Sequence, residues 1–179
     1  AKSYVDKVIK YKQSFGPWRN QITFVADDED QNIHLNDAEE IASTSSKFAP
    51  FLNVGKIYLD AYQQENSTGG SRYPAVNEAI NRRIFSGNLI WNYSGHGGYN
   101  RLAQESIFTE EMLNSWTNDK KLPLFITAAC DFAPYDNPLI LSLGEKLLLQ
   151  PSTGGIALLT TTRLVFAYSN RIINENYIS

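Results

Sequence analysis

The chain contains 179 residues, of which 42% are hydrophobic, 12% aromatic and 20% charged. This length and composition suffice for one sizeable hydrophobic core, favour a single domain and exclude disorder for the bulk of the chain. The 16 basic and 19 acidic residues give a formal net charge of −3, which is too balanced to indicate nucleic acid or an anionic membrane as a partner. No segment reaches the roughly 20 consecutive apolar residues that span a bilayer, and composition leaves the localisation open.

In chain order, residues 1–20 form a lead-in segment, and five apolar runs after it predict β-strands. These runs lack polar alternation, which is typical of parallel strands that are covered on both faces. Segments of helical periodicity separate them. The sequence therefore predicts an α/β sandwich with a mainly parallel sheet and the strand order 2-1-3-4-5 of doubly wound folds. The predicted strands are residues 22–26, 56–61, 89–93, 124–129 and 155–161.

Local signals mark the starts of the first two connecting helices. Asn36 is the predicted N-cap of the first, with Glu39 three residues later in the capping-box position. Pro74 suits the first turn of the second helix, because the missing proline NH is not needed there. Between these helices, residues 65–71 are rich in Gly and Ser and are predicted to form a surface connection without chemistry of its own.

Similar signals define the remaining helices. Thr109 is the predicted N-cap of a third helix, whose first turn carries two glutamates that favour the positive end of the helix dipole. Ser142 and Glu145 form a capping-box pattern before a fourth helix, which Pro151 ends. Residues 167–178 are predicted to form a final helix.

Two reactive side chains stand at the carboxyl ends of consecutive predicted strands. His96 lies in the sequence Tyr-Ser-Gly-His-Gly-Gly after the third strand, and Cys130 follows the fourth. Ligands of parallel sheets bind beyond these strand ends. A lone histidine of this kind can simply cap a strand, and a lone cysteine is most often a small buried hydrophobe. Together, however, they are what nucleophilic thiol catalysis requires.

The pair suggests a mechanism as a hypothesis. His96 would deprotonate Cys130 or hold it as a thiolate, which would attack a scissile carbonyl. The backbone NH groups of Gly97 and Cys130 are the predicted oxyanion donors. His96 would then protonate the leaving amine, which leaves an acyl-enzyme open to water or another nucleophile.

An acidic turn after the first strand could orient His96. Asp28 is the first choice for this role and Asp30 the second, on spacing alone. A solvated turn or a bound Ca²⁺ would also explain the acidic residues. Only two histidines and one cysteine are present, so no catalytic or structural metal centre of the His- or Cys-rich kind is expected.

Other polar residues are expected at the same edge of the sheet. Arg163 follows the last predicted strand, and its guanidinium could clamp a substrate carboxylate, although a structural salt bridge explains it equally well. The loop after the cysteine carries Asp131 and Tyr135, which are candidates for the wall of a substrate pocket.

Seven segments together resemble the gingipain family of cysteine peptidases, which has a caspase-like fold, and within it the sortases of the bacterial type IX secretion system. They occur in the family's order and span nearly the whole chain. Residues 92–98 and 122–130 match the segments that carry the family's catalytic His and Cys, which implies these roles for His96 and Cys130. The segments are residues 18–20, 23–28, 57–62, 92–98, 122–130, 142–145 and 160–165.

The resemblance implies more than a protease fold. It implies cleavage of the C-terminal sorting domain of secreted cargo at the bacterial outer membrane surface, followed by transfer of the cargo to a lipopolysaccharide anchor. The implied partners are cargo proteins, the lipopolysaccharide acceptor and other secretion-system components, and no cofactor is implied. Family members are much longer, so residues 1–179 are expected to form one gingipain-like catalytic subdomain of a longer protein.

Two alternatives stay open. The chain could be a plain cysteine endopeptidase whose acyl-enzyme is hydrolysed, or a non-catalytic module that docks cargo without cutting it. Nucleotide binding lacks support, because no predicted strand is followed by a Gly-x-Gly-x-x-Gly or phosphate-loop Lys pattern.

Overall fold

The computed structural model describes residues 2–178, except for the side chain of Ser67. None of the described helices is long and apolar enough to cross a lipid bilayer. The helices are α1 (Lys2–Lys12), α2 (Ile33–Phe48), α3 (Pro74–Ser86), α4 (Glu110–Ser115), α5 (Leu143–Leu149) and α6 (Ala167–Ile178). The strands are β1 (Gln21–Ala26), β2 (Asn53–Tyr58), β3 (Glu65–Ser67), β4 (Gly70–Arg72), β5 (Ile90–Ser94), β6 (Gly97–Gly98), β7 (Arg101–Leu102), β8 (Phe108–Thr109), β9 (Leu124–Ala128) and β10 (Ala157–Thr160).

A five-stranded sheet forms the centre of the fold. Its order is β2-β1-β5-β9-β10, and every neighbouring pair is parallel. The α/β class, the mainly parallel sheet and the predicted order 2-1-3-4-5 are confirmed. The second strand begins and ends three residues earlier than predicted, because Leu59–Ala61 forms a 3-10 turn.

Apolar side chains alternate between two buried faces of this sheet. Trp91, Tyr93 and Phe125 pack with residues of α3 and α5 in the larger core cluster. Ile22 and Phe24 pack with residues of α2 on the opposite face. Both faces are therefore covered, which explains why the strand sequences read as continuous apolar runs.

Four of the five predicted helix starts are confirmed, including that of α6 at Ala167, and one is wrong. Helix α3 begins at Pro74, the Thr109 side chain accepts a hydrogen bond at the start of α4, and Ser142 forms a reciprocal capping box at the start of α5. Helix α2, in contrast, begins four residues before the expected position, so Asn36 lies inside it. Glu39 does not form a capping box, because its carboxylate accepts hydrogen bonds from Lys56 and Tyr58.

The structure contains elements in two segments for which none was predicted. Residues 65–71, expected to be a surface connection, contain the antiparallel pair β3–β4. The lead-in segment, residues 1–20, contains α1 and a 3-10 turn at Pro17–Asn20.

Lys7 anchors α1 to the end of α5. Its side chain is almost fully buried, and Nζ donates to the carbonyl oxygens of Leu148 and Gln150 at 3.0 and 3.1 Å. Burial penalises the charged ammonium and lowers the pKa of Lys7 to about 8. The lysine that contacts the end of α5 therefore loses its proton at a lower pH than a lysine in water.

This pKa predicts a rise in stability at alkaline pH. Between about pH 8 and 10.5 the unfolded chain keeps a proton that the folded chain loses, so the free energy of unfolding should increase with pH, by at most about 3 kcal/mol. Urea denaturation at pH 7.5 and pH 10 should show this increase in the wild type relative to Lys7→Met. Lys10→Met, at an exposed position of α1, is the matched control. Parallel pH profiles for wild type and Lys7→Met would contradict the prediction.

Candidate active site

His96 and Cys130 lie at the tips of neighbouring strands. Strands β5 and β9 are paired with Ser94 opposite Ala128, and each reactive residue follows two positions later. Both side chains line one cavity of about 170 Å³. A Cβ at Gly97 would lie 2.9 Å from the Ala129 Cβ, so glycine lets the backbone after His96 pack directly against the cysteine segment.

Asp30 is the carboxylate at the His96 ring. Its Oδ2 lies 3.0 Å from His96 Nε2. It begins a turn of three consecutive residues with left-handed backbone angles, which ends at Asn32, the N-cap of α2. Asp and Asn adopt this conformation more readily than most residues. Because β1 adjoins β5 in the sheet, this turn reaches the tip of the His96 strand.

Asp28, the first-choice orienting acid, lies elsewhere. Its Oδ2 accepts a hydrogen bond of 2.7 Å from the Tyr73 hydroxyl, just before α3. Asp30 instead lies by the cavity that α2 and α6 border. The assignment to Asp28 is therefore corrected in favour of the alternative, Asp30. Spacing could not distinguish the two residues, since the left-handed turn decides where each side chain points.

His34 is a further residue at this cavity. Its ring packs edge-on against that of His96, with centroids 5.2 Å apart, and its Nε2 lies 3.5 Å from Asp30 Oδ2. Burial, followed by the charge of His96, lowers the pKa of His34. Sequence reasoning missed this residue. The sequence carried no signal for it, because residues 30–32 have left-handed backbone angles and helical spacing does not relate Asp30 to His34.

Asp27 holds the His96 backbone. Its fully buried carboxylate accepts a hydrogen bond of 2.9 Å from the His96 NH, and the Tyr93 hydroxyl lies 3.2 Å from the same oxygen. The Tyr93 hydroxyl also lies 2.7 Å from the His96 carbonyl oxygen. Burial raises the pKa of Asp27 to about 6. The sequence signal for this role was an acidic residue directly after a strand that is predicted to be buried.

Cys130 is half-buried, and α6 closes its side of the cavity. Its Sγ lies 3.7 Å from the Val165 carbonyl oxygen, to which the thiol can donate. Phe166, Asn170 and Arg171 also line the cavity. Helix α6 is attached to β5 by a reciprocal pair of hydrogen bonds between the buried side chains of Asn92 and Asn174.

The three suggested substrate-binding residues lie beside this cavity and not in it. Arg163 and Asp131 line a separate shallow groove of about 460 Å³. Arg163 forms a bidentate ion pair with Asp136, which is the structural alternative considered for it. Tyr135 is 71% exposed and lines neither the cavity nor this groove.

Two groups of described side chains could hold a metal ion. Asp30, His34 and His96 form one group, and Asp27, Asp28 and Glu105 form the other. In each group, every residue offers one ligand atom, and these three atoms lie within 4.8 Å of one another. The first group offers imidazole nitrogens, which suit zinc, whereas the second offers only carboxylate oxygens, which suit calcium or magnesium.

A family model decides the classification of the chain. The model of peptidase family C25 matches residues 1–179. The chain belongs to peptidase family C25. This C25 chain has no match among curated proteins.

Solved structures agree on the fold. The Arg-specific cysteine proteinase gingipain R (RgpB) superposes with a TM-score of 0.74 and 17% identity, over 99% of this chain and 41% of that one. A complex of the pro- and mature domains of RgpB from Porphyromonas gingivalis gives a TM-score of 0.72 at 18% identity, over 99% and 42% of the two chains. The C25 chain thus has the gingipain fold and spans less than half the length of these structures.

Proposed function

We propose that this C25 chain is the catalytic part of a cysteine peptidase in which Cys130 is the nucleophile and His96 the base. The observation that carries the proposal is that both side chains line one cavity at the tips of neighbouring parallel strands. Asp30 supports it, because a carboxylate 3.0 Å from Nε2 favours the tautomer that donates from Nε2. That tautomer leaves Nδ1 free to accept the thiol proton.

The proposed reaction needs only groups of the chain and no cofactor. His96 Nδ1 takes the Cys130 proton, and the thiolate forms a C–S bond with the scissile carbonyl carbon. The oxyanion accepts hydrogen bonds from the NH groups of Gly97 and Cys130. Collapse of the tetrahedral intermediate breaks the C–N bond, and the amine leaves with the proton that His96 held. The thioester that results is then resolved by water or by a second amine.

We further propose that the second amine is the natural acceptor. The support is the resemblance of seven segments to sortases of the type IX secretion system; two of these segments, residues 92–98 and 122–130, contain residues that line the cavity. In this proposal the substrates are secreted proteins with a C-terminal sorting domain, the acceptor is a lipopolysaccharide amine, and the site of action is the bacterial cell surface. Arg163, Asp131 and Tyr135, next to the cysteine loop, are proposed to contact the cargo chain.

Product analysis tests this proposal. The intact protein would be incubated with a cargo protein carrying its sorting domain, with and without a small primary amine, and the new cargo terminus analysed by mass spectrometry. A transpeptidase should give the amide of the added amine. The free acid alone would support the plain endopeptidase instead. Absence of both products, together with retained cargo binding, would support the docking module.

The Asp30 contact gives a further prediction. Asp30→Asn removes the charge that stabilises a protonated His96, so kcat should fall about 10- to 100-fold while KM changes little. This loss is smaller than for a buried acid, because the Asp30 side chain is 53% exposed. Glu29→Gln, one position earlier in the chain, also removes one negative charge and is the control. Equal losses in steady-state assays of both variants would contradict an orienting role for Asp30.

A further inference from the structure

A cavity of about 450 Å³ lies between the end of α1 and the loops that precede β9 and β10. It is at the amino ends of these parallel strands, whereas Cys130 follows the carboxyl end of β9. Because each strand residue adds about 3.3 Å, a full strand length separates this cavity from the candidate active site. We call it the lysine cavity. Its lining includes Lys7, Lys10, Gln13, Asp119, Lys120 and Ser152.

The lysine cavity has an excess of positive charge. Lys7, Lys10 and Lys120 line it, and Asp119 is the one carboxylate among the described lining residues. Three positive charges and one negative charge leave a net charge of +2, in a chain whose formal net charge is −3. None of the ion pairs within residues 2–178 involves one of these lysines. The charge distribution therefore favours an anion at this position.

Lys7 is a buried cation whose hydrogen-bond partners are neutral. Its side chain is only 2% exposed, and Nζ donates to the carbonyl oxygens of Leu148 and Gln150. An ammonium group has three N–H donors, so one of them stays available. Buried charges are normally paired with an opposite charge. An anion in the lysine cavity would supply that charge.

Hydrogen bonds hold the walls of the lysine cavity together. The Ser14 hydroxyl donates to the Lys120 carbonyl oxygen, which joins the end of α1 to the loop before β9. The buried Asn118 side chain donates to the Gly154 carbonyl oxygen at 2.9 Å and accepts from the Gly154 NH at 3.0 Å. This pair joins the loop before β9 to the loop before β10. Because the three segments are connected, the cavity is formed before a ligand binds.

We propose that the lysine cavity binds a phosphate group carried by a sugar. A phosphate monoester has nearly two negative charges at pH 7, which match the net charge of the lining. Lysine is a common phosphate ligand, whereas carboxylates are more often bound by the planar fork of arginine. No arginine belongs to the part of the lining that the structure describes.

The polar lining indicates what carries the phosphate. None of the lining residues between positions 2 and 178 has an aromatic or large aliphatic side chain, which a nucleobase or an acyl chain would need. The Gln13 amide and the Ser152 hydroxyl can instead bind sugar hydroxyls. A cavity of this volume also has room for more than a phosphate group. Binding here would not involve Cys130 or His96.

Glucose 6-phosphate is a suitable probe, and its binding can be measured without a cleavage assay. Isothermal titration calorimetry of the intact protein at pH 7 should give a Kd of about 1 mM or lower. At about 10 mM ligand the Tm should rise by about 2–4 °C, because the ligand binds the folded state. Glucose should give neither effect. Inorganic phosphate should bind at least about fivefold more weakly, since it lacks the sugar contacts.

Variants of exposed lysines locate the bound phosphate. Lys10→Gln and Lys120→Gln should each weaken glucose 6-phosphate binding at least about fivefold. Both positions are exposed, so the Tm without ligand should stay within about 2 °C of the wild type. Lys12→Gln, at an exposed position of α1 outside the cavity lining, is the matched control and should bind like the wild type.

Acetylation of lysines in the wild type gives a second measurement that needs no variant. Glucose 6-phosphate should slow the acetylation of Lys10 and Lys120 by N-acetoxysuccinimide at least about twofold, as located by peptide mass spectrometry. Acetylation of Lys47, at an exposed position near the end of α2, should not change.

Three results would overturn the proposal. The first is a wild-type protein that shows neither heat of binding nor a shift in Tm with glucose 6-phosphate. The second is unchanged affinity in Lys10→Gln and Lys120→Gln together with unprotected lysines, which would place the phosphate elsewhere. The third is equal affinity for inorganic phosphate and glucose 6-phosphate, which would indicate an adventitious ion only.

Discussion

Replacing Cys130 with alanine should lower kcat/KM for peptide cleavage by at least about 10³-fold, because it removes the group that forms the acyl-enzyme. The fold should tolerate this change. Cys130 is half-buried, and within the described part of the chain its sulfur makes one weak hydrogen bond, to the Val165 carbonyl oxygen at 3.7 Å. We therefore expect the Tm to change by no more than about 3 °C. Steady-state kinetics and thermal denaturation of the same preparation measure both effects.

Chemical labelling adds an independent readout of the Cys–His pair. Cys130 is the only cysteine of the 179 residues, so alkylation located by peptide mass spectrometry reports on this thiol alone. His96→Ala should slow its alkylation by iodoacetamide at neutral pH, since the base that stabilises the thiolate is lost. Full cleavage activity in Cys130→Ala, or unchanged alkylation in His96→Ala, would contradict the proposed roles.

The sequence contained enough information for the sheet and for the two strand tips. Apolar runs without alternation identify strands that are buried on both faces, and doubly wound topology then orders them. His96 and Cys130 could be found because the strand, not the loop, determines their place. Each follows its strand by two residues, and the two strands are neighbours.

Features that depend on turn geometry could not be predicted in the same way. Spacing in the sequence ranked Asp28 before Asp30, whereas the backbone angles at residues 30–32 bring Asp30 to His96. The same turn moves the start of α2 ahead of Asn36 and brings His34 to the cavity. Arg163 differs for another reason, because its partner Asp136 lies 27 residues away and only tertiary packing joins them.

The turn after β1, residues 27–32, links the geometry of the candidate active site to the stability of the fold. Within a few residues it supplies Asp27 to the His96 backbone and Asp30 to the His96 ring. A change that displaces Asp27 should therefore affect the position of His96 even when neither residue is mutated. Gly95, which immediately precedes His96, is the position where this can be tested most sharply.

Gly95→Ala should be strongly destabilising. A Cβ at this position would overlap the Tyr93 hydroxyl oxygen and lie 2.5 Å from the Asp27 Cβ, so the two groups that hold the His96 backbone would have to move. Tyr93 is fully buried and cannot swing into solvent. We expect a loss of about 2–3 kcal/mol, which corresponds to a Tm lower by about 5–10 °C in a domain of this size. Thermal denaturation measures the shift.

Gly98→Ala, three residues later in β6, provides a matched control. A Cβ there meets nothing within 4 Å, so the Tm should stay within about 2 °C of the wild type. Peptide cleavage should fall in Gly95→Ala, also at temperatures where the variant is folded, since His96 would no longer be held by Asp27 and Tyr93. Equal Tm values for the two glycine variants would show that the backbone at residue 95 accommodates a side chain. Unchanged cleavage in Gly95→Ala would show that the contacts with Asp27 and Tyr93 do not position His96.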